Sequence, residues 1–200
     1  MRRGFPVVLS AASGTGKTTL SHLLLDGDRD LVLSISYTTR KPRGSEEDGV
    51  DYHFVDDAAF KEMIDRGAFI EHALVHGNRY GSSKEWTAQK LANANDVVFD
   101  IDVQGGRQIK TIFPEAVLIF ILPPSMAELE QRLRRRGTDT DDVIAHRLAA
   151  ARSEIAGGLD DYDYLVVNDN IDHALGDLAA IVRAHRIGAM DRDQFRRGLI

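Results

Sequence analysis

The stretch Ser10-Ala11-Ala12-Ser13-Gly14-Thr15-Gly16-Lys17-Thr18-Thr19 decides how the chain begins to fold. It follows the apolar run 6–10 and fits the phosphate-loop pattern Gly-x-x-x-x-Gly-Lys-Ser/Thr, except that Ala11 replaces the first glycine. Gly14 and Gly16 allow backbone amides to turn inward, and a following helix would point its positive end at bound phosphates. The pattern therefore predicts a buried strand, a phosphate-binding loop and a helix.

Two side chains of this stretch carry further chemistry. Lys17 would add a full positive charge beside the phosphates, and Thr18 would offer a hydroxyl ligand to Mg²⁺. A glycine-rich turn with no ligand is the alternative, but Lys-Thr after Gly-x-Gly behind an N-terminal strand favours phosphate binding. The predicted ATP-binding residues of the loop are Ala11, Ala12, Ser13, Gly14, Thr15, Gly16, Lys17, Thr18 and Thr19.

Short apolar runs alternate with helical patterns along the rest of the chain. Runs at 31–36, 96–101, 116–122 and 163–167 predict buried parallel strands. Ser125 is placed to cap a helix over 126–136 that ends at Gly137, and Asp172 opens a helix towards residue 187. This alternation predicts an α/β fold, a phosphate-loop kinase core with a parallel sheet flanked by helices.

Two polar stretches interrupt the alternation and are predicted to be insertions on this core. In residues 38–84, strands at 52–55 and 69–75 flank a helix at 57–66, which predicts a small α+β lobe. Residues 125–158 contain two arginine-rich helical segments, which predict a helical lid. We therefore expect one domain over 1–200, with its core in 1–37, 85–124 and 159–200.

Composition limits the class of partner. With 200 residues, of which 43% are hydrophobic, the chain can bury a core, and its net charge of -6 argues against a general nucleic-acid binder. We expect small-molecule partners, with no nucleic acid and no membrane. There is no cysteine, and the apolar start is too short for a signal peptide, so the cytoplasm is the expected location.

The motifs along the chain resemble those of the guanylate kinase family. The matching stretches are the phosphate loop, Ser36 to Arg43, Glu46, Gly49 to Tyr52, Phe69 to Glu71, Tyr80 to Ser82, Asp100 to Gly105 and Arg136 to Thr138. The resemblance implies an enzyme that transfers a phosphoryl group from ATP to GMP, with Mg²⁺ as cofactor. It also implies a GMP-binding role for the lobe at 38–84.

The chemistry of GMP suits the residues of that lobe. A phosphate dianion asks for guanidinium groups and phenol donors, which Arg40, Arg43, Tyr52 and Tyr80 can supply. Guanine presents two adjacent donors that a carboxylate such as Glu71 could accept, with a serine serving O6. By resemblance, the base is held at Ser36, Glu71, Ser82 and Asp102. Glu46 and Glu47 are interpreted mainly as solvated loop residues.

Asp100 and Asp102 stand two residues apart at the end of an apolar strand, where open α/β sheets bind ligands. Asp100 could orient the water ligands of Mg²⁺, which with Thr18 gives the predicted metal site. Asp102 could face the guanine base or could cap the helix that follows, and both interpretations stay open.

The arginines of the lid are candidates for neutralising the transferred phosphoryl group. By resemblance we select Arg132, Arg136 and Arg147, which together with Lys17 and Arg40 form the predicted catalytic set. The remaining lid arginines, Arg134, Arg135 and Arg152, are interpreted as surface or support residues. The resemblance also places Asn168 near the adenine of ATP.

Two other functions fit parts of the pattern. Guanylate-kinase-like binding modules lack catalysis, but they usually lack an intact phosphate loop as well. A sugar-phosphate kinase on the same scaffold would keep the loop and would need no base-reading set such as Ser36, Glu71 and Ser82. Monomeric and homodimeric states are equally compatible with the sequence.

Overall fold

A computed structural model of the protein describes residues 3–75, 77–135, 137 and 139–188. The strands are β1 (Pro6–Ala11), β2 (Leu31–Leu33), β3 (Tyr37–Thr38), β4 (His53–Phe54), β5 (Phe69–Val75), β6 (Asn78–Ser83), β7 (Asp96–Asp100), β8 (Val117–Leu122) and β9 (Tyr164–Val167). The helices are α1 (Lys17–Gly27), α2 (Asp57–Asp65), α3 (Lys84–Ala92), α4 (Val103–Ile112), α5 (Met126–Arg135), α6 (Asp141–Asp161) and α7 (Ile171–Gly188). In these described ranges no helix is both long and apolar enough to cross a membrane.

The core of the molecule is a five-stranded parallel sheet in the order β2-β7-β1-β8-β9. Helices α1 and α7 pack on one face of this sheet, whereas α3, α4 and α6 pack on the other. Both faces are covered, which explains why β1 and β8 are almost continuously apolar. The predicted α/β class, a parallel sheet flanked by helices, is confirmed.

The parallel arrangement determines where functional side chains can gather. Leu9 of β1 lies opposite Asp100 of β7, so the loop after β1 emerges beside the acidic end of β7. Because parallel strands all end at the same edge, side chains that follow different strands meet there.

A second sheet of four strands, in the order β4-β3-β6-β5, forms the lobe. Strands β5 and β6 are antiparallel and pair Glu71 with Ser82, and Tyr80 pairs with both Thr38 and Ala73. Phe60 of α2 packs beneath this sheet with its ring stacked on Phe69 at 4.5 Å. The small lobe of mixed helix and strand is thus present as predicted.

Several predicted elements have different limits or surroundings. The strand predicted at 31–36 stops at Leu33, because the chain then crosses from the core sheet to β3. The prediction that 163–167 is buried was wrong, since Tyr164, Leu165 and Val167 are 42%, 45% and 44% exposed. Strand β9 pairs with β8 alone among the described strands and lies at the edge of the sheet.

The helix predicted after Ser125 is present, and Ser125 Oγ accepts a hydrogen bond from Glu128 N at 3.1 Å. Helix α6, however, continues to Asp161 rather than stopping near 158. Just beyond it, the Tyr162 hydroxyl donates to Ser10 Oγ at 2.5 Å, and Ser10 Oγ donates to Ile101 O at 2.7 Å. This buried chain of hydrogen bonds ties the end of α6 to β1 and to the residue after β7.

At the opposite edge of the sheet, one arginine joins three parts of the chain. Arg186 of α7 donates from Nε to Asp96 Oδ2 at 2.8 Å, and its NH1 lies 2.8 Å from Asp28 Oδ2. Asp96 is completely buried at the start of β7, where its Oδ1 also accepts from Phe5 N at 3.3 Å. The cation of Arg186 therefore balances a carboxylate that has no access to solvent.

Replacement of Arg186 should reveal how much the fold depends on this balance. We expect Arg186→Met to lower the free energy of unfolding by about 3 kcal/mol, because Asp96 would stay buried without its cation. Urea denaturation followed by circular dichroism measures the change. Arg183→Met, an exposed position on the same helix, is the matched control. Equal losses in the two variants would contradict the role assigned to Arg186.

Candidate active site

The loop between β1 and α1 has the backbone geometry of a phosphate cradle. Gly14 and Gly16 lie in the left-handed region with φ of 96° and 100°, and α1 begins immediately afterwards at Lys17. Thr15 closes the turn by donating from its amide and its hydroxyl to Ala12 O, at 3.2 and 2.7 Å. Ala11 is still the last residue of β1, so the position that is usually glycine needs no special backbone freedom here.

The loop is held from outside by the end of β9 and by helix α5. A Cβ atom on Gly16 would lie 2.5 Å from Asn168 Nδ2, and one on Gly14 would lie 2.9 Å from Leu133 Cδ2. Asn168 Nδ2 donates to Thr15 O at 2.7 Å, and Arg132 NH2 donates to Asn168 O at 2.9 Å. These contacts fix the shape of the loop before any nucleotide is bound.

A cleft of about 370 Å³ lies between this loop and the small lobe. Its walls come from the loop, from the carboxyl end of β7, from the lobe and from α6. The predicted site residues that line it are Ala11, Ala12, Ser13, Gly14, Gly16, Lys17, Thr18, Thr19, Ser36, Tyr52, Glu71, Tyr80, Asp100 and Asp102. Residues from distant parts of the sequence are thus brought to one space.

Other predicted site residues do not line the cleft. Thr15 and Asn168 face each other under the loop, and Ser82 is fully buried behind Glu71. Arg43 is exposed. The remaining members that do not line the cleft are Arg40, Arg132 and Arg147. The catalytic prediction for Arg136 lies outside the described residues.

Lys17 and Asp100 form an ion pair at the floor of the cleft. Burial lowers the pKa of the Lys17 ammonium to about 8, and the carboxylates of Asp102 and Glu154 oppose that shift. A bound phosphate would raise this pKa again, because negative charge stabilises the ammonium form. Glu154 reaches the cleft from α6 and was not identified from the sequence, where it is one acidic residue among many on a helix.

Glu71 provides a buried carboxyl group on the lobe side. It is 3% exposed and its Oε1 accepts a hydrogen bond from the Ser82 hydroxyl at 2.6 Å. Burial raises the pKa of Glu71 to about 7, the Ser82 hydrogen bond opposes the rise, and the charge of Asp102 adds to it. Glu71 thus faces the cleft as a buried carboxyl group that Ser82 holds in place.

Asp102 caps helix α4 and also lines the cleft. Its Oδ1 accepts from Gly105 N at 2.9 Å, which makes it the N-cap of α4, and the residue also lines the cleft. One carboxylate oxygen thus stabilises the helix while the residue still faces the space beside Glu71. The cap holds the carboxylate in place, so the two interpretations are compatible.

Arg40 lies in the lobe next to the aromatic residues Tyr52 and Phe54. Its guanidinium carbon is 5.1 Å from the Tyr52 ring centroid, and its two terminal nitrogens donate to the two oxygens of Glu46, each at 2.9 Å. The interpretation of Glu46 as a solvated loop residue was therefore incomplete. The signal available in the sequence was its place inside the motif that includes Arg40 and Arg43.

Four arginines of the lid, namely Arg132, Arg134, Arg135 and Arg147, have carboxylate partners. Arg132 Nε donates to Glu128 at 2.9 Å, and Arg147 NH1 lies 3.4 Å from Asp139 Oδ2. Arg134 and Arg135 are 50% and 67% exposed; Arg134 pairs with Glu130, and Arg135 shares Glu128 with Arg132. Arg132 is the one of these that also reaches the loop, through Thr15 O at 3.4 Å.

Thr18 and Asp100 could together provide the protein contacts of an Mg²⁺ ion. Thr18 and Asp100 line the same cleft beside the loop, whereas the described residues contain no group of three or more His, Asp or Glu side chains suited to a metal ion. Mg²⁺ commonly uses one or two protein ligands and completes its octahedron with water and substrate phosphates. The residues therefore fit an ion that arrives with a nucleotide.

The raised pKa of Glu71 predicts how the stability of the empty protein varies with pH. Because the folded pKa of about 7 exceeds the unfolded value, this carboxyl group contributes stability at low pH that is lost as pH rises through 7. The advantage of Glu71→Gln over wild type should therefore grow by up to about 3 kcal/mol between about pH 4 and about pH 8.

Urea denaturation of both proteins across this pH range measures the difference. Glu62→Gln, an exposed position on α2, provides the control and should show a much smaller trend. A pH-independent difference between Glu71→Gln and wild type would contradict the raised pKa.

Comparison with known proteins agrees with this geometry. A family model described as guanylate kinase matches residues 3–185. The guanylate kinase of Myxococcus xanthus is 55% identical over 92% of this chain and 88% of its own length, and that of Aromatoleum aromaticum is 51% identical over 92% and 90%. The crystal structure of guanylate kinase from Anaplasma phagocytophilum superposes with a TM-score of 0.78 at 34% identity, covering 92% of this chain and 87% of that one. With its phosphate loop, its lobe and these relatives, the chain belongs to the guanylate kinase family.

Proposed function

We propose that the chain transfers the γ-phosphoryl group of ATP to the phosphate of GMP, giving ADP and GDP. The main support is the buried carboxyl group of Glu71, which faces the same cleft as the phosphate loop. A phosphoryl acceptor that carries guanine would satisfy this group while its phosphate lies near the loop. ATP and GMP are accordingly the small-molecule partners of the site.

Guanine would be selected by hydrogen-bonding complementarity. The N1 and N2 donors of guanine match a carboxylate at Glu71, and adenine lacks this pair of donors. Ser36 and Asp102 line the same part of the cleft and are proposed to complete the base site. Ser82 contributes by orienting Glu71, because its hydroxyl donates to that carboxylate at 2.6 Å.

The phosphate of GMP is assigned to Arg40, Arg43, Tyr52 and Tyr80. Tyr52 and Tyr80 line the cleft with their rings 6.0 Å apart, and Arg40 lies beside Tyr52. Burial raises the pKa of Tyr52, so its phenol stays protonated and can donate. The two phenols would donate hydrogen bonds to the phosphate oxygens, and the guanidinium would offset part of the phosphate charge.

ATP is assigned to the loop 11–19, with Lys17 beside its terminal phosphates. Asn168 supports this side by holding Thr15 O, and its proposed nearness to adenine stays a prediction. Thr18 and Asp100 are the proposed protein contacts of Mg²⁺, Asp100 partly through water. The ion supplies charge neutralisation to the phosphates when it is bound.

The chemistry needs no side-chain base. The second pKa of a phosphate monoester is near about 6, so GMP is already an anionic nucleophile at neutral pH. The protein then positions the two phosphates in line and stabilises the charge of the transferring group. Lys17 and the lid arginines Arg132, Arg136 and Arg147 are proposed for that stabilisation.

We propose that the chain consists of a core, a lobe (38–84) and a lid (125–158), and that these parts close around the substrates. Closure would exclude water, so that phosphoryl transfers to GMP rather than to solvent. We place the enzyme in the cytoplasm, where its two substrates are made and used.

The nucleotide specificity of the purified chain tests the proposal directly. With ATP and Mg²⁺ present, ADP formation should be far faster with GMP than with AMP, CMP or UMP in a coupled assay. Nucleotide binding without turnover would instead indicate a non-catalytic module. Turnover with a sugar phosphate and with none of the four nucleotides would indicate a different kinase.

Lys17 should be essential for turnover and dispensable for folding. We expect Lys17→Met to lower kcat by about 100-fold or more, because the charge beside the transferring group is lost. Steady-state kinetics and a thermal melt measure the two properties separately. Lys61→Met, an exposed position on α2, is the control. Near-normal turnover of Lys17→Met would contradict the assignment.

Glu71 should determine base preference. Glu71→Gln replaces one acceptor by a donor that opposes the guanine donors, so the ratio of kcat/KM for GMP over AMP should fall at least about 10-fold. An unchanged ratio of kcat/KM for GMP over AMP would contradict the assignment of Glu71 as the residue that recognises guanine.

A further inference from the structure

Two adjacent glutamates, Glu46 and Glu47, lie in the loop between β3 and β4 in different surroundings. The Glu46 side chain is 24% exposed and pairs with Arg40, whereas Glu47 is exposed to solvent. Hydrogen bonding to Arg40 is the main cause that lowers the pKa of Glu46, so this carboxyl group is ionised at neutral pH. The same loop therefore contains a paired carboxylate and a matched exposed one.

The pair between Glu46 and Arg40 uses one defined edge of the guanidinium. Arg40 NH1 donates to Glu46 Oε2 and NH2 donates to Oε1, each at 2.9 Å. Arg40 NH1 donates its other hydrogen to Lys41 O, also at 2.9 Å. Because a guanidinium is planar with five fixed N–H directions, this arrangement leaves the edge formed by Nε and NH2 for another ligand.

The guanidinium of Arg40 lies against aromatic residues that line the cleft. The guanidinium carbon of Arg40 is 5.1 Å from the ring centroid of Tyr52, and hydrogen bonding to Tyr80 contributes to the raised pKa of Arg40. Tyr52 and Tyr80 both line the cleft. Arg40 is thus placed between the carboxylate of Glu46 and the two tyrosines of the cleft.

Glu46 also fixes the backbone at the second arginine of the motif. Its Oε2 accepts a hydrogen bond from Arg43 N at 2.7 Å, in addition to that from Arg40 NH1. One carboxylate thus determines the direction of Arg40 and the path of the loop at Arg43. Without it, a long side chain that is only 9% exposed would have to be oriented by the ligand itself, at a cost in side-chain entropy.

We propose that Glu46 is a positioning residue for the acceptor phosphate: it holds one edge of Arg40 so that the other edge faces the phosphate of GMP. This inference rests on the proposed function. Glu46 does not touch the nucleotide and stays paired when GMP binds. Its contribution is to orient the guanidinium before the substrate arrives, so that less binding energy is lost in ordering it.

Glu46→Gln tests the proposal with little change in shape. The amide keeps one acceptor and turns its other atom into a donor that opposes an N–H group of Arg40. We expect KM for GMP to rise about 10- to 100-fold, the range typical for loss of an orienting partner behind a ligand-binding group. KM for ATP should stay within about twofold of wild type, because the loop 11–19 does not contact Glu46 in the described structure.

Binding of guanosine separates positioning from collapse of the lobe. Guanosine has the base but no phosphate, so its dissociation constant, measured by calorimetry, should be the same for wild type and Glu46→Gln. Glu47→Gln is the matched control and should leave KM for GMP unchanged. In a double-mutant cycle, Glu46→Gln should add little to Arg40→Met, because it acts through that arginine.

Three results would overturn the proposal. They are a KM for GMP in Glu46→Gln within about twofold of wild type, an equal loss of guanosine affinity, or full additivity with Arg40→Met. Wild-type turnover with GMP is measured in the same experiment. If wild type phosphorylates GMP and any of these results is found, Glu46 loses its assigned role and the proposed function stands; if wild type does not phosphorylate GMP, the proposed function itself fails.

Discussion

The close approach of neighbouring atoms to the backbone at Gly14 and Gly16 is the constraint on which the site depends. Leu133 of α5 and Asn168 after β9 occupy the space that a Cβ atom would take at these two positions. The loop, the first lid helix and the end of the sheet consequently fit together in one arrangement. Because Lys17 and Thr18 directly follow the loop, their directions are determined by the same packing.

Burying ionisable groups around the cleft costs free energy, because their charged forms lose hydration. Burial moves the pKa of Glu71 up to about 7 and that of Lys17 down to about 8, because it disfavours the charged form of each group. Arg40 and Arg186 differ, because each has a fixed carboxylate partner that keeps it charged. The two groups with these shifted pKa values both face the cleft, and such shifts are common at functional sites.

Some elements of the fold could be predicted from local sequence patterns, and others could not. Strand β5 has the predicted bounds because seven residues of strand-forming pattern lie between clear breaks, and the phosphate loop follows from local glycine spacing. Strand β6, Asn-Arg-Tyr-Gly-Ser-Ser, was not predicted, since its polar sequence lacks alternation and pairing with β5 and β3 makes it a strand. The exposure of β9 also escaped prediction, because an apolar run does not reveal whether its strand is central or at an edge.

Sequence motifs likewise predicted some features of the site and missed others. Motif spacing identified most of the residues that meet in the cleft, but it could not show that Ser82 donates to Glu71 or that Glu46 pairs with Arg40. Such contacts depend on the register of β5 against β6 and on the course of an irregular loop. Both are set by tertiary packing rather than by local pattern.

The bond between Tyr162 and Ser10 fixes the C-terminal end of helix α6 to the central sheet. Its C-terminal end is pinned to β1, whereas Arg147 lies 15 residues away along the helix, a distance of roughly 22 Å at 1.5 Å per residue. A rotation of about 10° about the pinned end would carry Arg147 by about 4 Å, more than the diameter of a water molecule. For the same rotation, a residue near the N-terminal end of α6 would therefore move much further than one beside Tyr162.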